Sequence, residues 1–185
     1  MLPNIGIIGR ARVGKDTAGA WLVENRGYKR VAFADPLKEA ALKLNPLVCV
    51  TEHGRVDSLR MVVDMYGWEE AKNRFHEVRR ILQELGAAIR TIDEDFWLRA
   101  AITALADAND AGHPAVVTDV RYPNEAASLR RAGFVLIYIE RPGVPQLAHE
   151  SEGALTEADA DYHLVNDGNV TGLYNAVEFV VEDSR

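Results

Sequence analysis

Residues 9–17 read Gly-Arg-Ala-Arg-Val-Gly-Lys-Asp-Thr, and no other stretch restricts the possible folds of this chain so strongly. The spacing G-x-x-x-x-G-K lets successive backbone N–H groups converge on phosphate oxygens, while the glycines keep side chains out of the way. Lys15 adds a positive charge, and a helix starting at the loop aims the positive end of its dipole at the same anion. The bare pattern arises by chance in roughly one chain of this length in twenty, so context decides. Ile5, Ile7 and Ile8 make an apolar strand before it, Ala18, Trp21 and Leu22 recur at helical spacing after it, and Gly27 is a stop signal. Gly9, Arg10, Ala11, Arg12, Val13, Gly14, Lys15, Asp16 and Thr17 are therefore the candidate phosphate-binding residues. One position departs from the usual pattern. The residue after the lysine is normally Ser or Thr, whose hydroxyl ligates Mg²⁺; here it is Asp16, with Thr17 one place later.

The 185 residues are 48% hydrophobic, enough for one domain with a sizeable core, and no low-complexity tract interrupts them. A net charge of −7 argues against a nucleic-acid polymer as partner, because phosphate-backbone binding needs a broad basic face. A small anionic ligand stays compatible, since a few arginines can outweigh the global sign locally. The single cysteine, Cys49, excludes an internal disulfide and fits a reducing compartment. No apolar run suits a membrane span and no signal-like segment opens the chain, so a cytoplasmic protein is expected.

The pattern predicts a strand at 31–34 that ends at Asp35-Pro36 and feeds a helix. Asp35 suits a helix N-cap, and together with Lys38 it also suits a ligand-facing position at a strand's carboxyl end. Residues 45–111 read as a mostly helical insertion, far longer than a crossover needs, and an insertion of this length usually carries a substrate site. Within it Ala71, Phe75, Val78, Leu82, Leu85 and Ile89 predict the apolar face of one long helix. Lys72, Arg74, Arg79, Arg80 and Arg90 on its other faces make either a solvated charged surface or, for one or two of them with Arg90 the chosen candidate, a phosphate contact. Trp97, in the first turn of the next helix, reads as core or as the wall of a base pocket.

Residues 115–119 form an apolar strand ending in Asp119, followed by Arg121, Pro123-Asn124-Glu125 and a helix. Asp119 can hold Mg²⁺ or position the attacking group while Arg121 neutralises phosphate charge; the plainer reading is a turn with an ion pair and Asn124 as cap. Phe134 to Ile139 is the most continuous apolar run, as expected of a strand buried on both faces. A polar, acidic stretch over 141–162 reads as a surface loop or short lid, and a last strand at 163–165 leads through Asn166-Asp167-Gly168 to a final helix. Strands alternating with helices imply an α/β fold with a five-stranded parallel sheet, right-handed crossovers and a ligand crevice at the strands' carboxyl ends.

Phosphate loop, carboxylate-ending strand and acceptor-sized insertion together suggest transfer of a γ-phosphoryl group to a second small molecule. From Arg141 onward only Arg141 and Arg185 are formal cations, so clamping charge must come from Arg10, Arg12, Arg121, Arg141 or the central helices. Gly-Lys-Asp-Thr at 14–17, Phe33-Ala34-Asp35-Pro36-Leu37-Lys38, Thr118-Asp119-Val120-Arg121-Tyr122-Pro123-Asn124-Glu125 and His149-Glu150-Ser151-Glu152 resemble, in order and over nearly the whole chain, the deoxynucleoside monophosphate kinases of tailed bacteriophages. The segment beginning at Asp119 is the most distinctive; the loop alone indicates only the P-loop superfamily.

The resemblance implies a three-layer P-loop fold with core 1–44 and 112–185, insertion 45–111 and lid 141–162. It also implies ATP and Mg²⁺ as cofactors, a dNMP acceptor, and a role in supplying DNA precursors, in the host cytoplasm if the chain is phage-encoded. A homodimer is compatible; no membrane and no nucleic-acid polymer is expected. Under it Asp16 is the family's own variant, and Asp16 and Asp119 are the metal candidates. Lys15, Asp119, Arg121 and Arg141 become catalytic candidates. Asp35, Lys38, Arg90, Trp97, Asp119, Arg121, Glu125 and Glu152 become acceptor-binding, and Asn166 and Gly168 adenine-side residues. The competing readings are another small-molecule kinase, such as one like dephospho-coenzyme A kinase, and a nucleotide-dependent switch, against which stand the missing Asn-Lys-x-Asp guanine motif and the large insertion.

Overall fold

The structure is a computed structural model, and it describes residues 2–49, 56–145 and 153–185. Its chain forms two compact units, one from residues 1–33 and 101–185 and one from residues 34–100.

The first unit is built on a five-stranded, wholly parallel sheet. Its strands are β1 (Ile5–Ile8), β2 (Lys29–Val31), β5 (Ala115–Val120), β6 (Val135–Glu140) and β7 (Tyr162–Val165), and they lie in the order β2-β5-β1-β6-β7. The first in the chain, β1, is central, and all four of its residues are buried. Burying each isoleucine there contributes about 1.5–3 kcal/mol. Ile5 and Ile7 face a core shared with α1 (Lys15–Arg26) and α7 (Val170–Asp183), where Ala18, Leu22, Leu173, Val177, Val180 and Val181 meet Val116, Ile137 and Ile139. On the opposite face a side chain at Gly6 would press on Leu136 of β6 and on Leu129 of α6 (Pro123–Arg131). Helices on both faces make this a three-layer α/β fold, as the alternation of strands and helices predicts.

Between β1 and β5 the register slips. Gly6 pairs with Val117 but Ile8 with Val120, so Thr118 and Asp119 together oppose Ile7. The extra residue also turns Val120 toward the Gly6 face, whereas strict alternation from Val116 would have kept it on the α1 side.

The second unit contains α2 (Ala34–Leu44), an antiparallel pair β3 (Leu47–Cys49) and β4 (Val56–Ser58), α3 (Leu59–Arg74), α4 (His76–Ile92) and the start of α5 (Phe96–Asp110). Ala41, Val48, Leu59, Val62, Ala71 and Val78 form its core. Three expectations change here. The second strand ends at Val31 and α2 starts at Ala34, so Asp35 lies inside the first helical turn instead of capping it, and α2 belongs to the helical unit. Two short strands interrupt a stretch read as helical. The long helix expected over 71–89 is two helices that meet at Phe75, whose extended backbone (φ −120°, ψ 101°) caps both; Ala71, Phe75, Val78, Leu82 and Leu85 still share one core. Among the described residues no helix is long and apolar enough to cross a membrane.

Tyr28 is buried beneath the sheet edge, its hydroxyl donating to the Pro3 carbonyl at 2.8 Å, and burial pushes its phenol up to about 12. The neutral form is favoured by folding, so this contribution to stability is complete below about pH 10 and is lost as pH rises toward 12. Urea melts of wild type and Tyr28→Phe across that range should show the wild type losing stability more steeply.

Candidate active site

The phosphate loop connects β1 to α1, and its shape depends on missing side chains. Gly9 has φ 144° and Gly14 φ 109°, in the region favoured by glycine. A Cβ on Gly9 would collide with the Ile139 carbonyl oxygen, and one on Gly14 would come within 2.8 Å of the Asn166 amide nitrogen. Arg12 is left-handed as well (φ 66°), a conformation costing a non-glycine residue about 1–3 kcal/mol and concentrated at ligand clamps. Lys15 is buried, and its Nζ donates to the Gly9 and Arg10 carbonyls at 2.7 and 2.6 Å. Gly14 caps α1 without a side chain, so the first N–H groups of a twelve-residue helix point at the loop with no side-chain acceptor from the cap. Cradle, ammonium and helix end suit the phosphates of a nucleotide.

The loop is braced from the other end of the unit. Asn166, 7% exposed, donates its side-chain N–H to the Val13 carbonyl at 2.8 Å, and its backbone N–H to the Glu140 carbonyl at 2.7 Å. The residue expected on the adenine side therefore holds the loop itself, while Gly168 is exposed. Beside the loop, a cavity of about 310 Å³ is lined by Arg10, Val13, Tyr138, Arg141, Thr156 and Glu157 among others. It brings together two of the cations singled out in the sequence, Arg10 and Arg141.

At the carboxyl end of β5 the slipped register presents two polar side chains. The Thr118 hydroxyl, in a residue 1% exposed, donates to Asp16 Oδ1 at 3.0 Å. Asp119 Oδ1 accepts the backbone N–H of Phe33 at 3.0 Å, at the last residue before the chain enters the helical unit. Arg121 is exposed beyond them. Glu125 is 4% exposed, and its Oε2 accepts the backbone N–H groups of Arg121 and Tyr122 at 2.8 and 3.0 Å. It thus closes the N-terminus of α6, whose cap is Tyr122 and not Asn124. Glu125, expected to touch the acceptor, has this oxygen engaged by the backbone at the start of α6.

In the helical unit Asp35 and Lys38 form a 3.4 Å ion pair. Arg90 is half-buried on the side of α4 that carries Gly86. Trp97 is 3% exposed, donates from Nε1 to the Gly86 carbonyl at 3.3 Å and packs edge-on against Phe96, which fits the core reading over the base-pocket one. Lys72, Arg74 and Arg80 pair with Glu69, Glu70 and Glu77, and Arg80 also with Glu84, as expected of a solvated face. Glu152 and the rest of His149-Glu150-Ser151-Glu152 lie outside the described residues.

Part of the expected lid is stitched down. Arg130 donates to the Asp159 carbonyl, and Asp161 exchanges hydrogen bonds with the Leu136 backbone. His163, not singled out in the sequence, has its ring nitrogens 3.1 Å from carboxylate oxygens of Glu140 and Glu157.

The sequence model of the deoxynucleotide monophosphate kinase family matches residues 51–177. This chain belongs to that family. A relative from Acanthamoeba polyphaga mimivirus is 27% identical over 191 residues, covering 97% of this chain and 96% of that protein. The deoxynucleotide monophosphate kinases of Enterobacteria phage T4 and Escherichia phage RB69 are each 28% identical, over 55% and 60% of this chain. The match spans 44% and 49% of those two proteins, about half their length. Among solved structures, dephospho-CoA kinase from Campylobacter jejuni superposes with a TM-score of 0.50 at 13% identity, covering 98% of this chain and 97% of that one. TT1252 from Thermus thermophilus reaches 0.51 at 18%, covering 99% and 98%. At these identities the likeness concerns the fold.

Glu125→Ala leaves two partly buried N–H groups without their acceptor, which costs about 1–3 kcal/mol; Glu125→Gln keeps one acceptor oxygen. Thermal melts should show a clear drop for the alanine variant and most of the stability retained by the glutamine variant.

Proposed function

We propose that this chain transfers the γ-phosphoryl group of ATP to the phosphate of a deoxynucleoside monophosphate, giving ADP and a deoxynucleoside diphosphate. The observation that carries the reading is the loop from Gly9 to Thr17, whose glycines, buried lysine and open helix end make a phosphate cradle in a chain of this kinase family.

Phosphoryl transfer asks a protein mainly for alignment and charge neutralisation. The loop N–H groups and Lys15 would hold the β- and γ-phosphates, for which Lys15 exchanges its present carbonyl partners. Arg10 and Arg141, which line one cavity, and Arg121, just beyond β5, would meet the charge on the transferring group. The acceptor oxygen belongs to a phosphate and is already deprotonated near neutral pH, so no strong general base is required. Asp119 then serves to position, through its hold on Phe33. In the helical unit Lys38 and Arg90 supply cationic partners for an acceptor phosphate, with Asp35 orienting Lys38.

Asp16 and Asp119 are hard oxygen donors of the kind Mg²⁺ takes, and they are the residues that would hold it. When bound, Mg²⁺ would supply neutralisation of the phosphate charge. The same loop on a dephospho-coenzyme A kinase-like enzyme would serve a different acceptor, which an acceptor panel separates.

The test is ADP release with ATP, Mg²⁺ and a panel of dNMPs, NMPs and dephospho-coenzyme A. Selective turnover with dNMPs is expected, and equal ADP release with every acceptor or with none would overturn the proposal. Lys15→Met should lower kcat roughly 100-fold or more with an unchanged circular dichroism spectrum.

A further inference from the structure

We infer that Thr118 is a positioning residue that orients the Asp16 carboxylate toward the cation of a metal–nucleotide complex, and that this pair makes nucleotide binding at the loop dependent on a divalent cation. The inference rests on the nucleotide-binding reading of the loop and extends it to a residue, Thr118, outside the loop.

Three features meet at one place. Thr118 sits where β5 carries two residues opposite Ile7, and, two residues beyond Val116, its side chain lies on the α1 face of the sheet. Gly19 of α1 is the notch that admits it, because a Cβ at Gly19 would overlap the Thr118 methyl group. Asp16 lies one helical turn before Gly19, on the same face of α1, and its Oδ1 receives the Thr118 hydroxyl proton at 3.0 Å. Thr118 is 1% exposed, so its hydroxyl has little access to water as a competing partner. Asp16 is exposed, and among the described residues its Oδ2 has no hydrogen-bond partner. One oxygen of the carboxylate is anchored and the other is left for a ligand.

The charge argument gives this geometry a consequence. A hydroxyl at the position after the loop lysine is neutral, and a nucleotide without metal can approach it. A carboxylate there places a negative charge in the first turn of the helix that receives the phosphates, and like charges held close together repel. It also offsets the charge of its neighbour Lys15. A divalent cation converts this repulsion into a bridge between carboxylate and phosphate. The carboxylate bridges only if it faces the phosphates, and the Thr118 hydrogen bond restricts its rotation.

The test is ADP affinity by titration calorimetry in Mg²⁺ and in EDTA, for wild type, Asp16→Asn, Thr118→Val and Thr118→Ser. Wild type should lose affinity roughly tenfold or more without metal. Asp16→Asn should show a much smaller difference, because the repulsion is gone. Thr118→Val should weaken ADP binding in Mg²⁺ while leaving the EDTA value near wild type, and Thr118→Ser should restore the Mg²⁺ value. As a second readout, the Mn²⁺ electron paramagnetic resonance spectrum with ADP should change for Thr118→Val and not for Thr118→Ser. Equal wild-type affinity in Mg²⁺ and EDTA would overturn the inference while leaving the phosphate loop intact, as would a Thr118→Val protein with full metal dependence. Failure to bind ADP under either condition would overturn the loop assignment itself. Should Thr118→Val not fold, Asp16→Asn, at an exposed position, decides alone: metal dependence equal to wild type overturns the inference.

Discussion

The site depends on one close approach of backbone to backbone, that of Gly9 to the carbonyl of Ile139. Central β1 hydrogen-bonds to β5 on one side and β6 on the other, so the chain leaving β1 emerges against the end of β6 with no room for a Cβ. The turn this enforces brings the Gly9 and Arg10 carbonyls back over the start of α1, where they receive the Lys15 ammonium. Asn166 then ties Val13 to the loop following β7. A loop held at both ends spends little free energy on ordering when an anion arrives, and it tolerates the left-handed Arg12.

The second constraint is the irregular pairing of β5. A regular parallel ladder would alternate Thr118, Asp119 and Val120 across the sheet, with Val120 on the side of Val116. Thr118, two residues beyond Val116, meets Asp16 on the α1 face, while the slip carries Val120 to the Gly6 face and Asp119 accepts the Phe33 N–H. One strand end thereby serves the nucleotide loop and the exit toward the helical unit together. Close behind, one oxygen of Glu125 accepts two backbone N–H groups, which holds the backbone of Arg121 and Tyr122 at the start of α6.

Much of this was legible in the residues. Local patterns survive without tertiary information: the G-x-x-x-x-G-K spacing, the apolar runs of β1, β5 and β6 and the helical recurrence at 170–180 each declare themselves within a dozen positions. The β3–β4 pair did not, because strands of three residues are too short to show alternation. The break at Phe75 did not either, since the apolar spacing continues unchanged through a single extended residue. Trp97 and Glu125 carried the right chemistry for a substrate contact, and only burial shows their polar atoms turned to the Gly86 carbonyl and to backbone N–H groups.

By itself, then, the sequence determined the parallel α/β fold, the phosphate loop and the carboxylate-bearing strand facing it, because each is written in short-range spacing and residue type. The tertiary structure decided which side chains work as pairs. Asp16 and Thr118 are separated by 102 positions and Asn166 and Val13 by 153, and no periodicity links them. They meet because the packing of α1 on one sheet face, and of the loop after β7 beside the phosphate loop, puts them within hydrogen-bonding distance, a consequence of close packing that a linear pattern does not encode.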